Sequence, residues 1–380
     1  YPAEDADSEG EEGKFYLWTP GEIEAALGEE DSRFFMEIYH IRPGGNLDQN
    51  AGDRQPDGNI PHLEASPSEL ASRFGLSEGE LTNKLEDLRQ RLFTVREKRV
   101  HPLKDDKILT DWNGLMIAAM AKGAQVLGEK RYADAAAQAA HFVLNNLRTP
   151  EGHLIKRYRD GVASLPAHIE DYAFMVWGLL ELYEATFQVT YLQHAVDLTG
   201  TMIDQFWDDA NGAFFFTSDD GEKLIVRTKE LYDGAIPSGN SIAALDLYRI
   251  GRITGNPEME AKAATIGRVF SSQVDQSPSS FSQLLSAVDF GLGPSYEIVV
   301  VGDPDGEDTQ TMLALIQKEY LPNKVVLLKP TDENSRAIVA LAPFTETQTA
   351  MDGKATAYVC QNYACKAPTT SPDEMLAALK

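Results

Sequence analysis

Cysteine is nearly missing, with Cys360 and Cys365 the two in 380 residues. So few exclude a disulfide framework, and two thiols without further ligands do not complete a zinc site. They read as a packed or loosely redox-active pair. The chain also has no Asn-x-Ser/Thr sequon, so the cytoplasm, or an organelle lumen with reducing conditions, is the expected location. Basic residues are scarce, 34 Lys and Arg against 59 Asp and Glu, for a formal charge of −25. That balance leaves no basic stripe for nucleic-acid phosphates or an anionic membrane, so neither partner is expected. Long apolar runs are absent too. The longest, Phe174 to Leu180, stops at Glu181, far short of the roughly 20 residues a membrane span needs. The chain starts at Tyr1 with no methionine and no leader, and it reads as a fragment or a trimmed product.

What is present is 43% apolar residues, enough for a large core. The opening run DADSEGEEGKFYLW places Asp5, Asp7, Glu9 and Gly10 at the first ligand positions and the glycine of a calcium loop. The closing bidentate glutamate is replaced by Tyr16, so no EF-hand is expected, and neither a metal nor a cofactor is expected elsewhere. The run resembles later acid-glycine-aromatic stretches instead and is expected to form a rim hairpin. There Asp5 and Asp7 could meet a hydroxylated ligand or weakly hold a cation.

From Asp111 onward, helical patterns alternate with glycine-bearing loops at a period of about 60 to 70 residues. The pairs are 110–128 with 130–148, 168–187 with 190–208, and 238–255 with 256–274. The first helix of each pair is apolar around most of its circumference, and the second has one apolar stripe. The first is therefore buried and the second lies outside. Consecutive hairpins of that kind form an α/α toroid or a HEAT-like solenoid. The connectors TPEGHLIKRYRDG and DDANGAFFFTSDDGEKLIVR favour the toroid, because each reads as a β-hairpin on one rim.

Residues 66–99 read as two helices capped by Ser66 and Ser77. Their spacing superficially suits a DNA-binding helix-turn-helix, but the acidity makes a helical insertion, over about 61–100, the expectation. After Pro294 a β-α-β unit begins, without the GxGxxG turn of dinucleotide folds. The expected fold is thus mainly α: a partial six-hairpin toroid over 1–293, N-terminally incomplete with rim β-hairpins, and a small α/β region over 294–380.

Polar clusters open each inner helix: Asp111, Trp112 and Asn113; His168, Glu170, Asp171 and Tyr172; Tyr232, Asp233 and Asn240. They recur about one repeat apart, so in a toroid they share one end of the ring, where free helical N–H groups suit hydroxyl or carboxylate ligands. Asp, Ser and Asn at such positions also serve as ordinary N-caps. His168, Glu170 and Asp171 could supply a base, an acid and an orienting group for proton transfer beside a carbonyl or for glycosidic-bond hydrolysis. The aromatic and amide side chains around them suit sugar hydroxyls and ring faces.

The stretches EDADSEGEEGKFYLWTPGEI, KDDKILTDWNGLMIAAMAKG, IEDYAFMVWGLLELYEATF, YDGAIPSGNSIAALDL and AYVCQNYAC together resemble the spermatogenesis-associated protein 20 family and its bacterial thioredoxin-domain relatives. The resemblance implies a toroid of the six-hairpin glycosidase and N-acylglucosamine 2-epimerase type, preceded in the full-length protein by a thioredoxin-like domain. That domain and the first barrel helices lie outside this chain. Epimerases of similar fold use inner-helix histidines, which suits His168. The family pattern reads LEDYA where this chain has HIEDYA, without requiring His168, and has Ser where Asp111 stands, which shifts weight to Glu170, Asp171, Asp233 and Asn240. Two functions follow. One is a carbohydrate-active or carbohydrate-binding toroid, such as a sugar epimerase, isomerase or glycosidase-like enzyme, with a small sugar as ligand. The other is a non-catalytic toroid that recognises clients for the thioredoxin-like domain.

Overall fold

The computed structural model describes residues 3–47, 57–361 and 364–379. Residues 48–56 of the polar loop at 44–60, and 362–363 of the strand expected at 355–365, lie outside the described residues. The chain divides into two compact units, Tyr1–Asp106 and Lys107–Lys380.

The first unit holds β1 (Ala3–Glu4), β2 (Asp7–Ser8), β3 (Glu11–Glu12), α1 (Pro20–Leu27), α2 (Glu29–Ile38), α3 (Pro67–Phe74), α4 (Glu78–Arg96) and β4 (Lys104–Asp105). Its helix starts are written locally: Thr19, Ser66 and Ser77 each accept from the N–H of a Glu three residues on, which reciprocates. The run that imitates a calcium loop forms the β2–β3 hairpin. Glu9 and Gly10 turn it with φ of 54° and 80°, the left-handed pair a two-residue hairpin needs. The helices expected as an insertion, α3 and α4, pack on α1 and α2 through Trp18, Ile23, Phe35 and Leu88 and through Ile38, Leu70 and Leu81.

The second unit runs β5 (Ile108–Leu109), α5 (Thr110–Leu127), α6 (Lys130–Asn146), β6 (Ile155–Arg159), β7 (Val162–Pro166), α7 (Ile169–Thr186) and α8 (Val189–Phe206). It continues through α9 (Gly239–Thr254), α10 (Pro257–Gln276), α11 (Ser282–Leu292), β8 (Tyr296–Gly302), α12 (Glu307–Lys318) and β9 (Lys324–Pro330). It closes with α13 (Ser335–Leu341), β10 (Thr356–Gln361), β11 (Ala364–Cys365) and α14 (Pro372–Ala378). The three expected hairpins are α5/α6, α7/α8 and α9/α10. Inner helices α5, α7, α9 and α11 stand in series, each against the next, and make the partial α/α toroid. Helix α7 is apolar all round and almost wholly buried, while α6 buries one stripe of Ala133, Ala136, Ala140 and Val143.

The first rim connector is a hairpin as expected, β6 against β7, turned at Asp160–Gly161 and continued by β5. The second is not. After the bridge Trp207–Phe214 no ladder forms, because side chains hold the returning chain. Asp208 caps the turn through the N–H groups of Ala210 and Asn211, and Lys229 Nζ clamps both Asp208 (2.7 Å) and the Gly212 carbonyl (2.5 Å).

The α/β elements belong to the second unit, so its division falls at 106/107 and the expected 293/294 boundary marks a change of element type inside it. The sheet order is β11-β10-β8-β9, with β8 and β9 parallel. One face, Val299, Val301, Val325 and Leu327, joins the core of the helical ring; the other, Ile298, Val300, Val326 and Leu328, packs on α12 and α14. Strands buried on both faces read as continuous apolar runs, as 298–301 and 325–328 do. Cys360 and Cys365, expected as a packed or loosely redox-active pair, stand opposite each other in β10–β11 and form a disulfide. Among the described residues no helix is long and apolar enough to cross a membrane.

Candidate functional site

Helix α7 starts with a side chain that serves two helices. Asp171 Oδ2 accepts the His168 N–H at 2.8 Å, capping its own helix, and Oδ1 accepts the Asp111 N–H at 3.1 Å, tying the start of α5 to α7. Asp111 Oδ1 accepts the Trp112 N–H at 2.8 Å. Its Oδ2 takes Lys156 Nζ at 2.8 Å, and the same ammonium lies 3.4 Å from Asp171 Oδ2. Lys156 comes from β6, which reaches over this end of the ring because β5 pairs with it and leads directly into α5.

One half-buried lysine therefore faces two buried carboxyls. Burial pushes the Asp171 carboxyl up to about 7, against the pull of Lys156 and its two N–H donors; the charge on Asp111 adds to the rise. Burial works to lower Lys156, but the two carboxyls more than offset it and hold the ammonium above the ordinary lysine value. A carboxyl raised from 3.8 to about 7 contributes stability that is complete below about pH 4 and lost as pH rises through about 7. In Asp171→Asn that loss is absent, so its stability relative to the parent should improve from about pH 4 to about pH 7. Urea titrations across that range check it, and an unchanged difference would refute the assignment.

His168 and Glu170 flank this triad. The His168 ring stacks on Phe216, centroids 4.5 Å apart, and its Nδ1 is buried without a hydrogen-bond partner. Burial, reinforced by Lys156, pushes its pKa down, so it is neutral at pH 7. Glu170 is half-buried and raised by that burial, with Asp111 and Glu230 adding and Lys156 opposing. Among the described residues its carboxyl has no hydrogen bond or ion pair. The start of α9 abuts it: a Cβ on Gly239 would stand 2.7 Å from Ile169 Cγ2 and 3.1 Å from Glu170 Cγ. Glycine is what lets the two helix N-termini touch.

The remaining expected residues are placed as follows. Asn113 bonds the Leu109 carbonyl through Nδ2 at 2.7 Å, one turn back. Asn240 is fully buried, and its amide bonds both main-chain groups of Phe214 and the Glu230 carbonyl. Asp233 accepts the Ser238 N–H and, on its other oxygen, the N–H groups of Gln283 and Leu284, capping α11. Tyr172 is buried, with its hydroxyl accepting the Leu154 N–H; it lines a cavity of about 290 Å³ with His153, Phe206 and Asp220. Trp112 and Tyr232 are exposed at the starts of α5 and before α9. Asp5 and Asp7 belong to the first unit, and the cluster above is built within the second. Lys156 is the site residue that the sequence reading missed. Its signal was a lone lysine on the apolar side of an alternating strand, between Leu154 and Tyr158.

No protein-family model matches the chain. It is 32% identical to human spermatogenesis-associated protein 20 over 403 residues, taking in 99% of this chain and 51% of that protein. The rat protein of the same name is 30% identical over 402 residues, with the same coverage. The chain is thus a relative of spermatogenesis-associated protein 20, as its motifs anticipate, and spans about half the length of the curated relatives it matches. Among solved structures it is similar to cellobiose 2-epimerase from Bacillus thermoamylovorans B4167, with a TM-score of 0.39 and 15% identity over 70% of this chain and 68% of that one.

Proposed function

We propose that the helical ring binds a small sugar at the N-terminal end of its inner helices, and that Glu170 moves a proton beside the sugar carbonyl, as in an epimerase or isomerase. One observation carries this reading. At that end Asp111, Asp171, Asp233 and Asn240 are occupied by protein donors or acceptors, whereas Glu170 and His168 Nδ1 have none among the described residues. Hydrolysis by paired carboxyls needs two of them free on either side of a glycosidic bond. Proton abstraction next to a carbonyl needs one base with a pKa near the working pH, which burial favours for Glu170. In this scheme the Glu170 carboxylate takes the α-proton and the resulting acid returns it on the same side, to the former carbonyl carbon for an isomerase, or to the α-carbon after the enediolate turns over in the site for an epimerase. The neutral His168 holds the carbonyl oxygen, and the exposed rings of Trp112 and Tyr232 offer stacking faces.

Glu170→Gln keeps the shape and removes the base. We expect it to lower exchange of the sugar α-proton with solvent deuterium by roughly 10²- to 10⁴-fold, with melting unchanged. Proton NMR in deuterated buffer, after a ligand-observed screen of a sugar panel, measures this. If no sugar binds the parent protein, the enzyme reading falls. The saturation of most of the cluster then favours a non-catalytic toroid that recognises clients for a thioredoxin-like domain elsewhere in the full-length protein.

A further inference from the structure

The inner helices have another end. Between the C-terminal halves of α5 and α7, helix α9 and the segment joining α12 to β9 lies a cavity of about 380 Å³. Asp111 and Lys122 are eleven residues apart on α5, roughly 16 Å of helix, so this cavity is separate from the Asp111–Lys156–Asp171 cluster.

Its wall is ionic and mostly satisfied. Glu181 Oε1 takes Arg249 Nη1 at 2.8 Å, and Oε2 takes Lys122 Nζ at 2.6 Å. Glu184 Oε1 takes Arg249 Nη2 at 3.0 Å. The two carboxylates are thereby answered by Arg249 and Lys122, and Lys324 is left over. Its Nζ reaches the main-chain oxygens of Glu319 and Leu321, each at 3.4 Å, and among the described residues it has no carboxylate within ion-pair distance. Burial pushes the Lys324 ammonium down, with Lys122 and Arg249 adding to the fall and Glu184 and Glu181 opposing it. Asp246, fully buried beside Arg249 with both oxygens unpartnered, is held well above the usual carboxylate value by burial. Among the charged side chains lining the cavity, Lys122, Arg249, Lys318 and Lys324 outnumber Glu181, Glu184 and Glu319 by one, in a chain that carries −25 overall. Trp177 adds an aromatic wall.

We propose that this cavity binds a small phosphate-bearing molecule, its phosphate at Lys324 and its body against Trp177. The volume lies in the range of small-molecule sites. The Arg249 fork, which would suit a planar carboxylate, is consumed by Glu181 and Glu184. What remains is the Lys324 ammonium, a point charge, which suits a phosphate oxygen. The inference rests on no part of the reading of the N-terminal cluster.

Calorimetric titration of the whole chain with inorganic phosphate, glucose 6-phosphate and glucose tests it. Both phosphate probes should bind, and glucose should not. Lys324→Gln should weaken glucose 6-phosphate about ten- to a hundredfold, the loss of one charge-assisted contact. Lys324→Arg should retain most of the binding, which assigns the loss to charge rather than to folding. Lys354→Gln, the same charge change on an exposed turn, should leave binding intact. Failure of both phosphate probes to bind the parent, equal affinity for glucose, or full binding by Lys324→Gln would overturn the proposal.

Discussion

Arg249→Met should cost about 3–5 kcal/mol of folding stability, the loss expected when one partner of a buried ion pair is removed. Arg249 is 5% exposed and holds two carboxylates on one turn of α7, Glu181 at 5% and Glu184 at 3%. Arg249 and Lys122 hold the Glu181 carboxyl well below the usual range despite its burial, so it enters the folded state charged. Without Arg249, Lys122 still answers Glu181, but Glu184 keeps a buried charge with no cation. Equilibrium urea unfolding measures the loss. The triple change Arg249→Met, Glu181→Met, Glu184→Met should recover most of it, because apolar side chains of similar volume replace such networks at little net cost. A single-variant loss under about 1 kcal/mol would mean that the network adds nothing beyond packing.

Gly114→Ala should be nearly as damaging for a different reason. A Cβ there would lie 2.4 Å from the Phe174 carbonyl carbon, 2.6 Å from its oxygen and 2.7 Å from the Met175 nitrogen. These are main-chain atoms of α7, so no rotamer change makes room. The reciprocal position is as tight, with a Cβ on Gly178 2.7 Å from the Gly114 carbonyl oxygen. Overpacking a core by one methyl costs about 1–3 kcal/mol, and the obstacle here places the change at the upper end. Forcing α5 from α7 would also stretch the Asp111–Asp171 bond. Gly123→Ala is the control on the same helix. Its nearest neighbour would be Tyr132 at 3.9 Å, so the better helix former should gain about 0.5–1 kcal/mol. Thermal and urea unfolding of the two variants should therefore move in opposite directions.

Much of the ring was legible because its signals are local or periodic. All six hairpin helices fall within two residues of their expected bounds, since the all-round apolarity of α7 and the single stripe of α6 distinguish inner from outer helices. The parallel strands were legible from their unbroken apolar runs. The second rim hairpin was misjudged because Lys229 and Asp208, 21 residues apart, do the work of a ladder there. The site shows the same limit. Where the inner helices start was readable, but whether Asp233 or Asn240 faces a ligand or a neighbouring loop depends on how 207–216 and 280–284 return to them. Lys156 was missed because its partners are 15 and 45 residues away, beyond any local pattern.

The sheet has a practical meaning for anyone trimming this protein. Val299, Val301, Val325 and Leu327 are as much a part of the helical core as the helices' own residues. A chain stopped after Leu292 would not be a tidier toroid. It would carry an open apolar flank and lose Lys324, and Arg252 on α9 would lose the Glu297 carboxylate it binds at 2.7 Å. Such a piece should be sticky in solution and prone to self-association. Safe cutting points lie outside the sheet, and the C-terminal strands have to be treated as part of the helical core's own wall.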